Sequence, residues 1–564
     1  MFPDSDIAKN FNCDEERVGY LTTFGIAPHF SSLMKSRAAE ESEYVLLFDQ
    51  RFNSEMEKRQ LDVNIRFWND NQIKTRYLTS LSMDHQTAEQ MCSEIKKACA
   101  EIGFHKLTQL SLDGSKVDWK LFSKVQENIE RETGKKMLDV GSCGLHVLHN
   151  SFRSGCVSTK WKLSSALTSL KGLFKEASVQ RDFTEVTGST SFPLYFCNSR
   201  WIENVIVAKR VLQILPSIKA YVKAVKAKKI KEPATFRALE EIVEDDLLPA
   251  KLHFFIMVAR EFTPLLKLYK TDKPVLPFMC SELRDLLHSL MKKFIKPCVM
   301  TSAVELTQVD VCDPENHVDV TRLKVGRETE QALEKFKKKN PSDQLRLEFG
   351  QNCLLFLSKT VSKLLENSPL KSLLRRSLSV LDPRVLLQNK DISSKNMSII
   401  LRRLLESGHI DEKCCNDALR EFRLFCDLMS SSEAFCSFDP QSARLDEFYH
   451  EHLSNKEEFH NLWVVIKRVL VLTHGQASAE RVFSVNKKVL VESLKMDFVI
   501  AQRIICDHVR HVGGLCNIDY SKELLMLAAD AKEKYERYCE DQLRLQKNNR
   551  TSKRENDLRR KSAK

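Results

Sequence analysis

The sequence predicts a helix-rich α/β fold in which a small sheet is interrupted by a long all-helical stretch. Three observations carry this prediction. Short apolar runs crowd between Tyr44 and about Asn150, and helical periodicity replaces them from about Lys160 to Arg444. Glycine is scarce throughout, 16 in 564 residues against roughly 7% in an average protein, which favours helices over turns. With 42% hydrophobic and 29% charged residues, the chain sits in the globular range and has ample material for a core.

The first strand, Tyr44-Val45-Leu46-Leu47-Phe48-Asp49, is an apolar run closed by an aspartate. The second alternates, with Val63, Ile65 and Phe67 on one side, and the third runs near Tyr77 to Leu81. Next, Ala88, Met91, Cys92, Ile95, Ala98, Cys99 and Ile102 recur at helical spacing until Gly103 stops them. A fourth run, Leu107 to Leu112, ends in Asp113-Gly114. A helix with Trp119, Phe122, Val125 and Ile129 inward follows, closed by Gly134, and then a short strand from Met137 to Val140. Three hairpin-compatible strands followed by strand-helix alternation is the order of an RNase H-like α/β core.

Beyond it, polar breaks such as Lys228 to Pro233, Lys337 to Asp343 and Asn389 to Asn396 separate helices without a fixed period, so this is an all-α insertion domain and not a repeat array. The chain divides into an N-terminal helical segment (1–40), the first part of the core (41–165), the insertion domain (166–443), the end of the core (444–515) and a helical or disordered basic tail (516–564). Within 444–515, Leu462-Trp463-Val464-Val465-Ile466 and Val469 to Leu472 are apolar on too many sides for a surface helix. They belong in a core or a subunit interface.

The net charge of +12 permits a polyanionic partner without requiring one. No glycine-rich phosphate loop occurs, since Gly134-Lys135-Lys136 lacks the upstream glycine that such a loop needs. The 17 cysteines are scattered and no signal peptide opens the chain, which points to a reduced intracellular compartment. No apolar run approaches the roughly 20 residues of a bilayer span, so no membrane is expected.

Asp49 and Asp113 each close an apolar strand, and Glu480 opens the capped helix Ser478-Ala479-Glu480-Arg481-Val482-Phe483-Ser484. Brought together, they form a three-carboxylate site for Mg2+ or Mn2+, the arrangement that two-metal phosphoryl transfer on nucleic acid requires. Each also has a plainer reading: Asp-Gly is a favoured turn pair, and an acid in a first helical turn suits the helix dipole. Cys143-Gly144-Leu145-His146, with His149 one turn on, lacks the second Cys/His pair of a structural zinc site. It is either core and helix start or a DNA contact. Arg200-Trp201 stands in the helical region, where a tryptophan commonly packs.

These motifs resemble the hAT superfamily of DNA transposases and the domesticated proteins derived from it. Leu462-Trp463 through Ser478-Ala479-Glu480-Arg481-Val482-Phe483-Ser484 to Ala501-Gln502-Arg503 is similar to the family's C-terminal dimerisation region. Cys143 to His146 resembles its C/D-x-x-H motif, and Ser199-Arg200-Trp201 its T-R-W motif. The resemblance covers roughly residues 40 to 515.

It implies an RNase H-like core with an all-α insertion ahead of the helix bearing the last acid. Asp49, Asp113 and Glu480 would be the catalytic metal ligands. His146, Arg200 and Trp201 would contact DNA, with Trp201 at the flipped base. Leu462, Trp463, Val482 and Phe483 would serve dimerisation. The implied protein is nuclear, with the cytoplasm as a second location, and forms a homodimer or higher oligomer. It carries out metal-dependent phosphodiester hydrolysis and transesterification, or else survives as a non-catalytic scaffold for protein or chromatin partners. The family's N-terminal BED-type zinc finger has no counterpart ahead of the first strand, so the sequence reads as a fragment or as a chain that has lost its DNA-reading module. Lys/Arg clusters such as Lys553-Arg554 and Arg559-Arg560-Lys561 read as a solvated tail, a nuclear address or phosphate contacts.

Overall fold

The computed structural model describes residues 14–53, 58–82, 87–111, 116–141, 143–228, 236–339, 343–430, 432–475 and 496–544. Four strands, β1 (Tyr44–Asn53), β2 (Lys58–Asn69), β3 (Gln72–Ser82) and β4 (Leu107–Ser111), form one mixed sheet in the order β3-β2-β1-β4. The first three are antiparallel neighbours, and β4 runs parallel to β1. The tight β2–β3 connection uses Asp70 at φ +57°, a left-handed position that a short polar side chain tolerates.

Helices make up most of the remaining described chain, and among the described residues none is long and apolar enough to cross a membrane. The Ala88–Ala98 helix begins at a reciprocal cap: the Thr87 hydroxyl accepts from Gln90 N at 3.2 Å and Gln90 Oε1 accepts from Thr87 N at 2.8 Å. Its Met91, Cys92 and Ile95 join Tyr44, Leu46, Phe48, Val63, Ile65 and Phe67 on one face of the sheet. The Ala27–Glu40 and Lys116–Thr133 helices complete that layer through Met34, Ala38, Leu121, Val125 and Ile129.

The opposite face carries Val45 and Leu47 into a second, larger core shared with the helices that run from Leu163–Leu173 to Leu445–Leu453. The Gly144–Ser158 helix joins the two bodies. Its Phe152 packs edge-on against Phe255, Phe262 and Phe356, with ring centroids at 5.1, 5.6 and 5.4 Å. It also crosses the Asp343–Glu366 helix at Gly155, where a β-carbon would stand 2.5 Å from the Phe356 carbonyl oxygen. Only glycine lets these two backbones approach so closely.

Three sequence expectations need correction. β1 does not end at Asp49 but runs on to Asn53, so Asp49 lies inside the strand with Asp62 of β2 as its ladder partner. Met137 to Val140 is not a strand: Leu138 N donates to Thr108 O at 2.8 Å, but no further ladder forms. Trp119 does not face inward. It is 45% exposed, and Leu121 takes the core position instead.

The ends of the described chain meet. The Met496–His511 helix stacks His508 on Phe30 at 3.8 Å, and residues 531–544, also helical, bring Tyr535 and Tyr538 against Tyr20 and Phe24.

Candidate functional site

The parallel ladder between β1 and β4 pairs Val45 with Gln109, Leu46 with Leu110 and Leu47 with Ser111. In sequence, Asp49 follows Leu47 by two residues and Asp113 follows Ser111 by two. Asp49 is on the described backbone of β1. Asp113, Glu480, Val482 and Phe483 lie outside the described residues. Among the described residues no three His, Cys, Asp or Glu side chains form a group able to hold a metal.

The chain that leads toward Glu480 is anchored at several points up to Gly475. The His460–Val471 helix packs on the sheet, where Trp68 Nε1 donates to Lys467 O at 2.9 Å and the buried Arg66 donates through Nε to Val471 O at 3.0 Å. Thr473 then pairs with the Gln109 side chain in both directions: Gln109 Nε2 donates to Thr473 O at 3.0 Å, and Thr473 N donates to Gln109 Oε1 at 2.8 Å. Gly144 N donates to His474 O at 2.9 Å, and His474 Nε2 meets Tyr269 O at 3.1 Å. A β-carbon on Gly475 would stand 2.5 Å from Cys143 Sγ, so the chain passes directly against the start of the His146 helix.

Further along the chain, the Met496–His511 helix packs on the sheet's polar face. Arg503 forms an ion pair with Asp62 at 2.5 Å, both side chains nearly sealed from solvent, and its guanidinium lies 3.9 Å from the Tyr77 ring centroid. Arg76 of β3 pairs with Asp507 of the same helix at 2.6 Å. Asp62, the ladder partner of Asp49, thereby has its charge committed to Arg503.

His146 is half-buried on the first turn of the Gly144–Ser158 helix. One turn on, His149 is buried, and burial pushes its pKa down to about 4 against the opposing pull of Glu203. The nearby Lys270 and Arg200 cations and the His146 imidazole add to the lowering. His149 Nδ1 accepts from Ile202 N at 3.4 Å, so the neutral imidazole ties this helix to the Trp201–Asn204 turn. The structure thus gathers His146 and the Arg200-Trp201 pair around one buried histidine. Arg200 is half-exposed and 4.0 Å from Glu203. Trp201 is a core residue, 4% exposed, edge-on to Phe196 at 5.2 Å and with no open face for a nucleobase.

Leu462 is fully buried, and Trp463 is half-buried against Trp68 at 5.2 Å and His450 at 5.8 Å. Leu462 belongs to the larger core, and Trp463 packs against it. Sequence reasoning missed Asp62 and Arg503, whose pairing spans most of the chain. It also missed the cleft of about 740 Å³ that Trp119, His146 and Arg153 line together with Lys363 of the insertion. The available signal for the cleft was the run of polar side chains at helical spacing from His146 through Asn150 and Arg153. No protein-family model matches this chain, and no curated protein matches it either.

Proposed function

We propose that this chain is a nuclear, hAT transposase-derived protein with an RNase H-like core that acts on DNA phosphodiesters and associates with itself through its C-terminal region. The observation that carries the reading is the sheet order β3-β2-β1-β4, with β1 and β4 parallel and Leu47 paired with Ser111, each two residues ahead of an aspartate. Three carboxylates, from Asp49, Asp113 and Glu480, are hard oxygen donors of the kind that hold Mg2+ or Mn2+. When bound, such ions activate the attacking oxygen and stabilise the leaving one. The rest falls to the chain itself: β1 carries Asp49, its neighbour β4 ends at Ser111, two residues ahead of Asp113 in the sequence, and the contact of Gly475 with Cys143 brings the chain ahead of Glu480 to the start of the His146 helix. Arg200 supplies positive charge and His146 a hydrogen-bonding imidazole near a phosphate, and Trp201 supports the Arg200 turn from within.

The test is thermal stability against Mg2+ and Mn2+ for the parent and for Asp49→Asn, Asp113→Asn and Glu480→Gln, since a ligand of the native state raises stability by RT ln(1 + [L]/Kd). Metal stabilisation that each substitution abolishes is the expected result. A parent that never responds, with or without DNA, refutes the metal site.

A second reading, a non-catalytic scaffold, is favoured by one observation: Leu515, Tyr520, Leu525 and Met526 are all strongly exposed near the C-terminal end. Under that reading, sedimentation shows a self-associated species that Leu525→Ser with Met526→Ser dissociates, while metal has no effect.

A further inference from the structure

The groove beside the His146 helix is walled by three elements. The Lys116–Thr133 helix contributes Trp119, the Gly144–Ser158 helix contributes His146, Asn150 and Arg153, and the Asp343–Glu366 helix with the residue following it contributes Lys363 and Asn367. The Gly155 crossing is what brings the insertion's Lys363 up to Arg153, so the groove is built by the fold and is not a chance surface hollow. Its volume of about 740 Å³ is that of a ligand cleft.

The chemistry of its lining is selective. Among the described residues no carboxylate lines it, and two cations, an imidazole and two amides do. Glu366 pairs with Lys363 at 2.8 Å, but both partners are largely exposed, and such a pair exchanges readily for a phosphate. Trp119 is the unusual member. Trp68, Trp161 and Trp201 are buried and Trp463 is half-buried, whereas Trp119 is 45% exposed and meets Phe122 edge-on at 5.8 Å. An exposed aromatic face beside cations and amides is what binds an unpaired nucleobase together with its phosphodiester backbone.

We propose that this groove holds a single-stranded stretch of polynucleotide, with a base stacked on Trp119 and the adjoining phosphates on Arg153 and Lys363. This rests on the reading of the chain as a protein that acts on DNA, and it names the form of nucleic acid the site receives and the residue that senses its unpaired state. Duplex DNA presents no free base face to Trp119, so the groove discriminates between the two forms.

The experiment titrates the full chain with a thymidine oligonucleotide, single-stranded and then annealed to its complement, in EDTA, reading tryptophan fluorescence and anisotropy of a labelled strand. The single strand quenches the parent's fluorescence, and Trp119→Phe removes the quenching while keeping most of the affinity. Trp119→Ala weakens single-strand binding by about tenfold or more, and Arg153→Ala and Lys363→Ala each lower the slope of log K against log salt by about 0.7. Melting curves establish that these surface variants fold as the parent does. Unchanged single-strand affinity in Trp119→Ala, or quenching that persists in Trp119→Phe, overturns the proposal. So does a duplex bound as tightly as the single strand. Because EDTA removes the metal and Asp49→Asn leaves the groove intact, failure of the metal site leaves these results standing, and failure of the groove leaves the metal titration standing.

Discussion

Replacing Arg503 by methionine tests whether the C-terminal helix is anchored to the sheet by its buried ion pair. Arg503 donates to Asp62 at 2.5 Å and to Ser80 Oγ at 2.9 Å, and it covers the Tyr77 ring. The two charged side chains are 1% and 3% exposed. Without Arg503, the Asp62 carboxylate keeps its bonds from Gln60 Nε2 and Ser80 Oγ, both at 2.6 Å, but loses its countercharge in a sealed site. Breaking a buried pair from one side costs about 3–5 kcal/mol. Arg503→Met should therefore lower the unfolding free energy by that amount, read as a fall in the urea midpoint at constant m. Hydrogen exchange should localise the loss to Met496–His511, the helix that receives the chain after the segment bearing Glu480. Because the charge left behind causes most of the damage, Asp62→Leu with Arg503→Met should cost about 1–3 kcal/mol less than the sum of the two single changes. A loss under about 1 kcal/mol, the range of an exposed pair, or an additive cycle, refutes the reasoning.

Trp463→Ala removes a half-buried ring from Trp68 and His450 and should cost about 2–4 kcal/mol; melting and sedimentation identical to the parent would refute its packing role. Burial, opposed by the hydrogen bond to Tyr269 O and reinforced by Arg66, holds the His474 pKa down to about 4. The unfolded chain then takes up a proton that the folded chain refuses, so the stability from neutral His474 is complete above pH 6.5 and drains as pH falls toward 4, about 3 kcal/mol in all. His474→Gln should flatten the fall of the urea midpoint across that window, and an unchanged slope counts against the assignment. Gly155→Ala forces apart two crossing helices and should cost about 1–3 kcal/mol. Gly172→Ala, with open space at its β-carbon inside the Leu163–Leu173 helix, should be neutral or stabilising by up to about 1 kcal/mol in the same denaturation assay.

Local periodicity made much of this architecture legible, because each strand and helix declares one buried face in its own residues. It fails where the deciding partner is remote. The alternation of β2 marks Val63, Ile65 and Phe67 as core, but the opposite residues Gln60, Asp62, Asn64 and Arg66 are buried as well. Their cover comes from Val471 and Arg503, some four hundred residues downstream. Nothing within β2 distinguishes a solvated polar face from one satisfied by a returning chain. Trp119 failed for a different reason: its hydrophobicity suggested the core, while helical geometry did not. At about 100° per residue it stands some 120° from Val125, whereas Leu121 stands about 40° away and is buried.

The candidate carboxylates were legible as residue types, and the anchoring of the chain on either side of residues 476–495 follows from a physical need. A central strand with polar residues on a buried face must have those groups paired, or each unpaired one costs about 1–3 kcal/mol. Arg66, Gln109 and Asp62 meet that need by binding backbone at 471 and 473 and the side chain at 503, on either side of the segment that holds Glu480. The same contacts that make the polar face affordable thus fix both ends of that segment against the sheet carrying Asp49. Under the proposed metal site, loosening either end is expected to weaken the response to Mg2+ without altering any carboxylate, so that Arg503→Met should blunt metal stabilisation; an undiminished response in that variant counts against the anchoring role.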